Sequence, residues 1–307
     1  MDGQLYKVQT RFLFRAHIRV KIPASFDDDV FDRLFFVMES FDRQYNSHTA
    51  GSYIDRINRN AGRFVEVDEE TVSMLEQAVS FSELSDGGYD ITVMPLIRLW
   101  GFYKDRVTSI PTDQEIAAIR RFVDYRGIDV DGTRARIRKG QEIVTGSFIK
   151  AWALDRMVAE MRAMGIDDGI INAGGSTIYA LAPDISQAWD VSVADPLDSG
   201  KVYTVSLCNQ CFSTSSQSQT YVTIAGRRYG HILDPRTGYP SPNRLVCMTS
   251  DNCAIGDMAS TALFVETAET FSGSMAAISR RYPVEGFLVD ASGCCVRSEG
   301  AVFREMA

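Results

Sequence analysis

Short β segments follow one another between residues 189 and 250, and this block constrains the fold more than any other part of the sequence. Apolar and β-branched residues concentrate at 189–193, 202–207, 221–224 and 245–249, with turn-forming residues between them. Helical spacing returns at 254–265 and 269–280. Strands joined by such short connections pair with their neighbours in antiparallel fashion. The block therefore predicts antiparallel sheet closed by helices.

Amphipathic helices are expected in the first half of the chain as well. Five apolar residues follow helical spacing behind a run of aspartates suited to a helix start: Phe31, Leu34, Phe35, Met38 and Phe41. Further helices are predicted at 68–85, from about 112, and at 148–164. Short strands are expected at 135–137, 142–144 and 169–172, and a hairpin near 290–293. The sequence thus predicts one α+β unit over residues 1–307, or two entwined subdomains.

The composition indicates which kinds of partner the charge of the chain disfavours. At 307 residues and 45% hydrophobic content, the chain has enough apolar side chains for an extensive core. Its net charge of −8 opposes binding to nucleic acid and to anionic membrane surfaces. No apolar run reaches the roughly 20 residues of a membrane span, and the first ten residues are too polar for a secretory leader. We therefore expect a cytoplasmic protein, or a periplasmic or membrane-anchored one if a leader was removed.

One of the three histidines, His231, stands at the start of a tightly turned segment bounded by prolines. Residues 231–240 read His-Ile-Leu-Asp-Pro-Arg-Thr-Gly-Tyr-Pro. Asp-Pro followed by Thr-Gly is ordinary turn chemistry, in which Gly238 supplies a backbone conformation that other residues resist. The stretch alone fits a rigid connection as well as a site. A histidine in this place is a candidate proton carrier near neutral pH.

Two further segments carry residues suited to an ion or a phosphate. Asp257 and Thr261 lie four residues apart in a predicted helix, so a carboxylate and a hydroxyl share one face. Such oxygen ligands suit Mg²⁺, although spacing alone favours a solvated aspartate and a threonine bonded to its own helix. Lys150 follows Gly146 at a helix start, which favours an anion, but the Walker spacing is absent. A lysine that extends from a core helix to solvent explains this position equally well.

Taken in order, five motifs resemble the ApbE-type flavin transferases. Residues 89–102 match the family's Asp-x-Thr-x-x-Pro-Leu-x-x-Leu-Trp-Gly-Phe signature, and 146–150 match its Gly-x-x-x-Lys helix. The series continues with Asn-x-Gly-Gly at 172–175, Ser-Thr-Ser at 213–215 ahead of the segment 231–240, and Asp-x-x-x-Thr at 257–261. Each motif alone fits a turn or core packing, but five in this order are far more specific.

The resemblance implies both a fold and an activity. Family members move FMN from FAD to a threonine or serine hydroxyl of an acceptor protein, with Mg²⁺, and release AMP; their architecture is compact, T-fold-like α+β, with antiparallel sheets flanked by helices. By position, the Ser147 carbonyl, Asp257 and Thr261 would bind Mg²⁺. His231 would act on the acceptor hydroxyl, as its base or as the group that orients it. The residues implied to contact FAD are Tyr45, Tyr89, Asp90, Ile91, Lys150, Gly174, Gly175 and Leu233.

Because the sequence departs from the family pattern at several positions, two alternative functions remain open. One is an FAD pyrophosphatase, which gives FMN and AMP; such relatives carry asparagine where Tyr45 aligns, so the tyrosine favours transfer. The other is a flavin-binding protein without turnover, because Val144 stands where the family has aspartate. Ala151, Trp152 and Tyr53 replace the family's glycine, tyrosine and glutamate. Since the metal and histidine positions are intact, Mg²⁺-dependent transfer is the favoured hypothesis.

Overall fold

The computed structural model describes residues 4–102, 109–217 and 220–306. Within these ranges the helices are α1 (Asp29–Gln44), α2 (Tyr53–Arg59), α3 (Glu69–Leu84), α4 (Met94–Trp100), α5 (Asp113–Arg120), α6 (Ile149–Ala163), α7 (Cys253–Leu263) and α8 (Ala268–Ser279). The strands are β1 (Tyr6–Leu13), β2 (Ala16–Pro23), β3 (Val65–Glu66), β4 (Asp129–Asp131), β5 (Arg134–Arg136), β6 (Gly169–Ala173), β7 (Thr177–Leu181), β8 (Trp189–Asp195), β9 (Asp198–Leu207), β10 (Gln210–Ser216), β11 (Tyr221–Ile224), β12 (Arg227–Gly230), β13 (Leu245–Ser250), β14 (Val284–Val289), β15 (Cys295–Arg297) and β16 (Arg304–Met306).

An eight-stranded sheet forms the centre of the fold. Its order is β1-β2-β6-β7-β10-β13-β14-β15, and each neighbouring pair runs antiparallel. Within the described ranges three smaller sheets accompany it, with the orders β16-β9-β8, β3-β5-β4 and β11-β12. The α+β class with antiparallel sheets is therefore confirmed. None of the described helices is both long enough and apolar enough to cross a membrane.

Both faces of the central sheet are covered, as β13 shows. Val246 and Met248 belong to the large core beneath the helices, whereas Leu245 and Cys247 belong to a second core. That second core is completed by residues of β8 and β9, including Val205. Because successive side chains of a strand point to opposite faces, a strand buried on both sides is apolar throughout. The molecule thus stacks helices, the large sheet and the small sheet β16-β9-β8.

Helix starts agree closely with the expected capping signals. The Asp68 carboxylate accepts a hydrogen bond from the Thr71 N–H at the start of α3. Thr112 and Glu115 form a reciprocal capping box at the start of α5. Satisfying these otherwise unpaired N–H groups stabilises a helix by about 1 kcal/mol each. The predicted helices at 68–85 and from 112 are confirmed.

The strand expected at 142–144 is absent from the described structure; only an isolated parallel bridge between Val93 and Glu142 is found there. The backbone N–H of Ile143 donates to the Asn58 side-chain oxygen at 2.8 Å, and the next N–H donates to the Ile91 carbonyl at 2.8 Å. The backbone N–H groups of this segment are therefore hydrogen-bonded to a loop carbonyl and a side chain, and not to a neighbouring strand. This prediction was wrong because short apolar alternation does not distinguish a strand from a buried loop.

Candidate active site

A cavity of about 560 Å³ lies where α4, the start of α6, the β6–β7 turn and α7 approach the segment that follows β12. It is lined by nine of the twelve predicted site residues: Tyr89, Asp90, Ser147, Lys150, Gly175, His231, Leu233, Asp257 and Thr261. Residues far apart in the chain thus meet at one place. Several convergent polar groups in one concave site are the usual sign of a ligand-binding site.

His231 lies half-buried at this cavity, and a single carbonyl defines its tautomer. Its backbone N–H donates to the Thr220 oxygen at 3.2 Å, and its Nδ1 lies 3.1 Å from the same oxygen. Because a carbonyl oxygen can only accept, the hydrogen bond places the proton on Nδ1. Nε2 then carries the lone pair and bonds to no residue among those described. Burial lowers the pKa of His231 below its ordinary value, since it disfavours the charged ring.

The loop that carries His231 is held by bonds at its far end. The Gly238 N–H donates to the Asp234 carbonyl at 2.7 Å, and Gly238 has φ +84°, a conformation that favours glycine. The Trp100 indole N–H donates to the Gly238 carbonyl at 2.9 Å. Arg236 joins Asp234 to the buried Glu266, each at 2.9 Å. The predicted tight turn is confirmed, and it is anchored to both α4 and the segment that follows α7.

Groups of opposite charge, Asp257 and Lys150, line the same cavity. Asp257 is buried, and both of its oxygens accept from the Thr177 hydroxyl at 2.9 Å. Burial raises the pKa of Asp257 to about 6, an effect opposed by the positive charge of Lys150 and by a hydrogen bond from Ser213. Lys150 Nζ donates to the Ser176 hydroxyl at 2.7 Å. A carboxylate removed from water in this way is stabilised by a nearby cation.

Asp155, a residue of α6, fixes the start of α7. Its carboxylate accepts from the backbone N–H groups of Cys253 at 2.7 Å and Ala254 at 3.0 Å. The Asn252 side chain caps the same helix through the Ile255 N–H at 2.9 Å. Two helices that each contribute to the cavity are therefore joined directly. Sequence reasoning missed this role, although a carboxylate among the mostly apolar residues at the start of α6 was a visible signal.

The ApbE family profile matches residues 13–293, which is most of the chain. The chain belongs to the ApbE family. Similarity to individual relatives agrees with this membership.

Two curated relatives of this ApbE-family chain are each named FAD:protein FMN transferase. The one from Rhodobacter capsulatus is 33% identical over 214 residues, which are 68% of this chain and 41% of the relative. This chain thus spans about two fifths of that protein's length. The one from Klebsiella pneumoniae (strain 342) is 27% identical over 273 residues, covering 86% of this chain and 83% of the relative.

The crystal structure of an ApbE protein from Thermotoga maritima has the same fold. It superposes with a TM-score of 0.85 at 26% identity and covers 96% of this chain and 97% of its own. The match extends over nearly the whole of both chains. The ApbE architecture expected from the motifs is therefore confirmed.

Three of the predicted flavin contacts lie outside the cavity lining of this ApbE-family protein: Gly174, Tyr45 and Ile91. The Tyr45 hydroxyl donates to the Asp68 carboxylate at 2.6 Å, and its ring stacks on Tyr53 with centroids 5.8 Å apart. Ile91 is buried, and its carbonyl accepts from the Val144 N–H. Tyr45 and Ile91 both support the loops that surround the cavity. Their assignment to FAD remains a prediction from the resemblance.

The two glycines of the β6–β7 turn differ in their surroundings. Gly174 has φ +72°, and a Cβ there would lie 2.8 Å from the Ala16 side chain, so this glycine allows close packing on the β1–β2 hairpin. Gly175 has φ +77°, faces open space and lines the cavity. Only Gly175 is therefore placed to let a ligand approach the backbone.

Asp90 and Tyr89 line the cavity and are held firmly by the protein. One Asp90 oxygen accepts from the N–H and hydroxyl of Thr92, at 2.8 and 2.7 Å, and the other accepts from the Tyr125 N–H at 2.9 Å. The Tyr89 hydroxyl lies 3.1 Å from the Ser147 hydroxyl. Asp90 therefore shapes the turn at residues 90–92, whereas Tyr89 reaches the start of α6.

Hydroxyl groups that the sequence reasoning did not assign also line the cavity. They come from the β6–β7 turn, the end of β10, the start of β11 and α7: Ser176, Thr214, Ser215, Ser216, Thr220 and Ser260. The Ser-Thr-Ser motif was the available signal, since it belongs to the family pattern without an assigned role. The Thr214 hydroxyl donates to the Val246 carbonyl and the Ser260 hydroxyl to the Asp257 carbonyl, each at 3.0 Å. Ser176 accepts from Lys150 and keeps its own proton, which suits an oxygen of a nucleotide.

A larger depression of about 770 Å³ lies on the other side of α4. Its charged residues pair with one another: Arg59 with Asp55 at 2.9 Å, and Arg98 with Glu142 at 2.6 Å. None of the twelve predicted site residues lines it. Although it is larger, this depression is the weaker candidate for the active site. Its arginines are paired with carboxylates, and the predicted site residues line the other cavity.

Proposed function

We propose that this chain is an FAD:protein FMN transferase, which moves FMN from FAD to a threonine or serine hydroxyl of an acceptor protein and releases AMP. Family membership and the names of the two curated relatives support flavin transfer. The observation that carries the proposal is the placement of His231. Its Nε2 is free to accept a proton beside a cavity that also contains Lys150 and Asp257.

Residues of the cavity lining fit Mg²⁺. Among the described residues no group of three or more His, Cys, Asp or Glu side chains lies in a metal-binding arrangement. The available donors are oxygens: the Ser147 carbonyl, the Asp257 carboxylate and the Thr261 hydroxyl, all from the cavity lining. When bound there, Mg²⁺ would act as a Lewis acid that stabilises negative charge on the pyrophosphate.

In the proposed reaction the acceptor hydroxyl oxygen bonds to the FMN-side phosphorus of FAD. The bond between that phosphorus and the bridging oxygen breaks, and AMP leaves with the bridging oxygen. His231 Nε2 receives the hydroxyl proton, while Nδ1–H remains bonded to the Thr220 carbonyl and so stabilises the imidazolium. Lys150 balances the charge that develops on the phosphoryl oxygens.

Hydrolysis of FAD remains the closest alternative because of where Tyr45 lies. The aligned tyrosine favours transfer, yet its hydroxyl is engaged by Asp68 outside the cavity lining. It therefore supplies no direct contact that would exclude water. The third possibility is flavin binding without turnover. Val144 supports it, because a buried apolar side chain lines the cavity where the family has a carboxylate.

One experiment separates the three functions. The protein is incubated with FAD and Mg²⁺, with and without a candidate acceptor protein, and the products are analysed by mass spectrometry. Transfer predicts acceptor-dependent AMP and an acceptor whose mass increases by one FMN. Steady AMP release without acceptor would establish hydrolysis, and intact FAD in both samples would establish a binding protein. Either result refutes the proposal.

A further inference from the structure

The hairpin β11–β12 ends one residue before His231 and is tightly built. Ala225 and Gly226 at its tip have φ +49° and +79°, the pair of positive values that a type I′ turn requires. Thr223 pairs with Arg228 across the two strands. Such a turn matches the natural twist of the strands, so the hairpin presents its side chains in a defined arrangement.

One side of this hairpin faces solvent. Because side chains alternate along a strand, Tyr221, Thr223 and Arg228 share a face, and all three are exposed. We call these three residues the hairpin face. On the opposite side Ile224 is buried, and Tyr229 packs on Trp100 with ring centroids 5.4 Å apart. The hairpin face is thus a surface held in place from below.

The hairpin is positively charged in an acidic protein. Residues 220–233 include Arg227 and Arg228 but no aspartate or glutamate, although the whole chain has a net charge of −8. The Arg228 guanidinium lies 4.4 Å above the Tyr221 ring, and that of Arg227 lies 5.2 Å above the Tyr229 ring. Neither arginine pairs with a carboxylate among the described residues. Both therefore retain N–H donors for a partner's carboxylates.

This charge lies on the strand that leads to the proposed base, with Arg228 three residues before His231. The Thr220 carbonyl precedes β11 and accepts both the N–H and the Nδ1–H of His231, so the hairpin and the imidazole are directly connected. A hydroxyl that reaches Nε2 brings its flanking residues past the hairpin, since extended chain advances only about 3.3 Å per residue. Tyrosine and arginine together are also the residues most enriched at binding hot spots.

We propose that the hairpin face, through Arg228, docks acidic residues that flank the acceptor hydroxyl in the acceptor protein. Arg227 lies on the opposite side of the same strand and adds positive charge nearby. The inference rests on the proposed function and specifies its partner by charge. Arg227 and Arg228 lie outside the cavity lining, so their charges serve the acceptor and not FAD. The recognition offsets the repulsion that an acidic partner would meet from the rest of this chain.

The test compares two fluorescent peptides in the presence of the full chain loaded with FAD. Each carries one threonine, flanked by aspartate and glutamate in one peptide and by asparagine and glutamine in the other. Fluorescence anisotropy should show the acidic peptide binding about tenfold more tightly, with a preference that decreases as salt rises. Arg228→Glu should abolish that preference. The control Arg63→Glu makes the same charge change at an exposed arginine outside the hairpin and should retain it.

Three outcomes would overturn the proposal. They are equal affinities for the two peptides, no binding of either peptide, and an equal loss of preference in the two variants. FAD affinity is measured alongside; if Arg228→Glu weakened FAD and peptide binding equally, the effect would be a distorted cavity and the proposal would again be refuted. Failure of the flavin transfer itself is recognised separately, because peptide preference needs no turnover and AMP release needs no peptide.

Discussion

Asp155→Asn tests whether the contact between α6 and α7 holds the cavity together. The carboxylate accepts two backbone N–H groups, at 2.7 and 3.0 Å. Asparagine has nearly the same shape but only one acceptor oxygen, so its NH₂ group would face the second N–H, donor against donor. Losing one hydrogen bond to a charged acceptor and leaving that N–H unsatisfied costs about 1.5–3 kcal/mol. Because Asp155 is only half-buried, we expect about 2 kcal/mol.

The assay is urea denaturation of both proteins, with Asp129→Asn as the matched control. Asp129 pairs with Arg136 at 2.7 Å on the surface, where such a pair contributes about 0–1 kcal/mol. A second measurement is the Mg²⁺ concentration needed for half-maximal turnover, which should rise several-fold in Asp155→Asn because α7 carries Asp257 and Thr261. If Asp155→Asn and Asp129→Asn lost the same stability and required the same Mg²⁺, the reasoning would be wrong.

Three further predictions concern the cavity and its loop. His231→Gln should lower the rate of FMN transfer at least about 100-fold while FAD affinity changes little. In the unmutated protein the rate should fall as the pH decreases through a value below 6.5, because burial lowers the pKa of the ring and protonation removes the base. A pH profile centred above 7, or full activity in the variant, would contradict this role. Asp257→Ala should depress turnover more than FAD binding in a direct titration, and equal turnover would refute the metal site. Arg236→Met should lower the free energy of unfolding, measured by urea denaturation, by about 2–3 kcal/mol, because it leaves Glu266 buried without its cation. An unchanged urea midpoint would show that this ion pair does not stabilise the chain.

Local signals predicted much of the fold. Asp68 and Thr112 are strong caps, and the helices they precede begin at the next residue. The strand at Tyr221–Ile224 has the predicted bounds because turn residues flank it closely. The β1–β2 hairpin and the short α2 were not anticipated. The hairpin turns at Phe14 and Arg15, whose positive φ values are usually supplied by glycine or asparagine, so the sequence carries no turn signal there. At seven residues, α2 is too short for a clear helical period.

The order of the motifs identified most residues of the site, but it did not reveal the contacts that hold them in place. The nine residues that line the cavity all lie in motifs whose spacing is undisturbed, but Ile91 and Gly174 lie in the same motifs and contact other parts of the protein. Tyr45 was assigned across an insertion at residues 46–51, and it lies outside that cavity. The contact of Asp155 with Cys253 joins residues nearly one hundred positions apart, so only the folded chain shows it.

The assembly of the cavity from distant segments has a consequence for folding. The groups of α4, α6, the β6–β7 turn and α7 are spread over about 170 residues of the chain, so the ligand can bind only after the long-range strand pairs have closed. Pairings of this kind form slowly. A ligand that binds only the native state raises the unfolding free energy with the logarithm of its concentration. Recovery of nucleotide binding during refolding should therefore coincide with completion of the central sheet, and FAD should protect the chain against thermal unfolding in a concentration-dependent way.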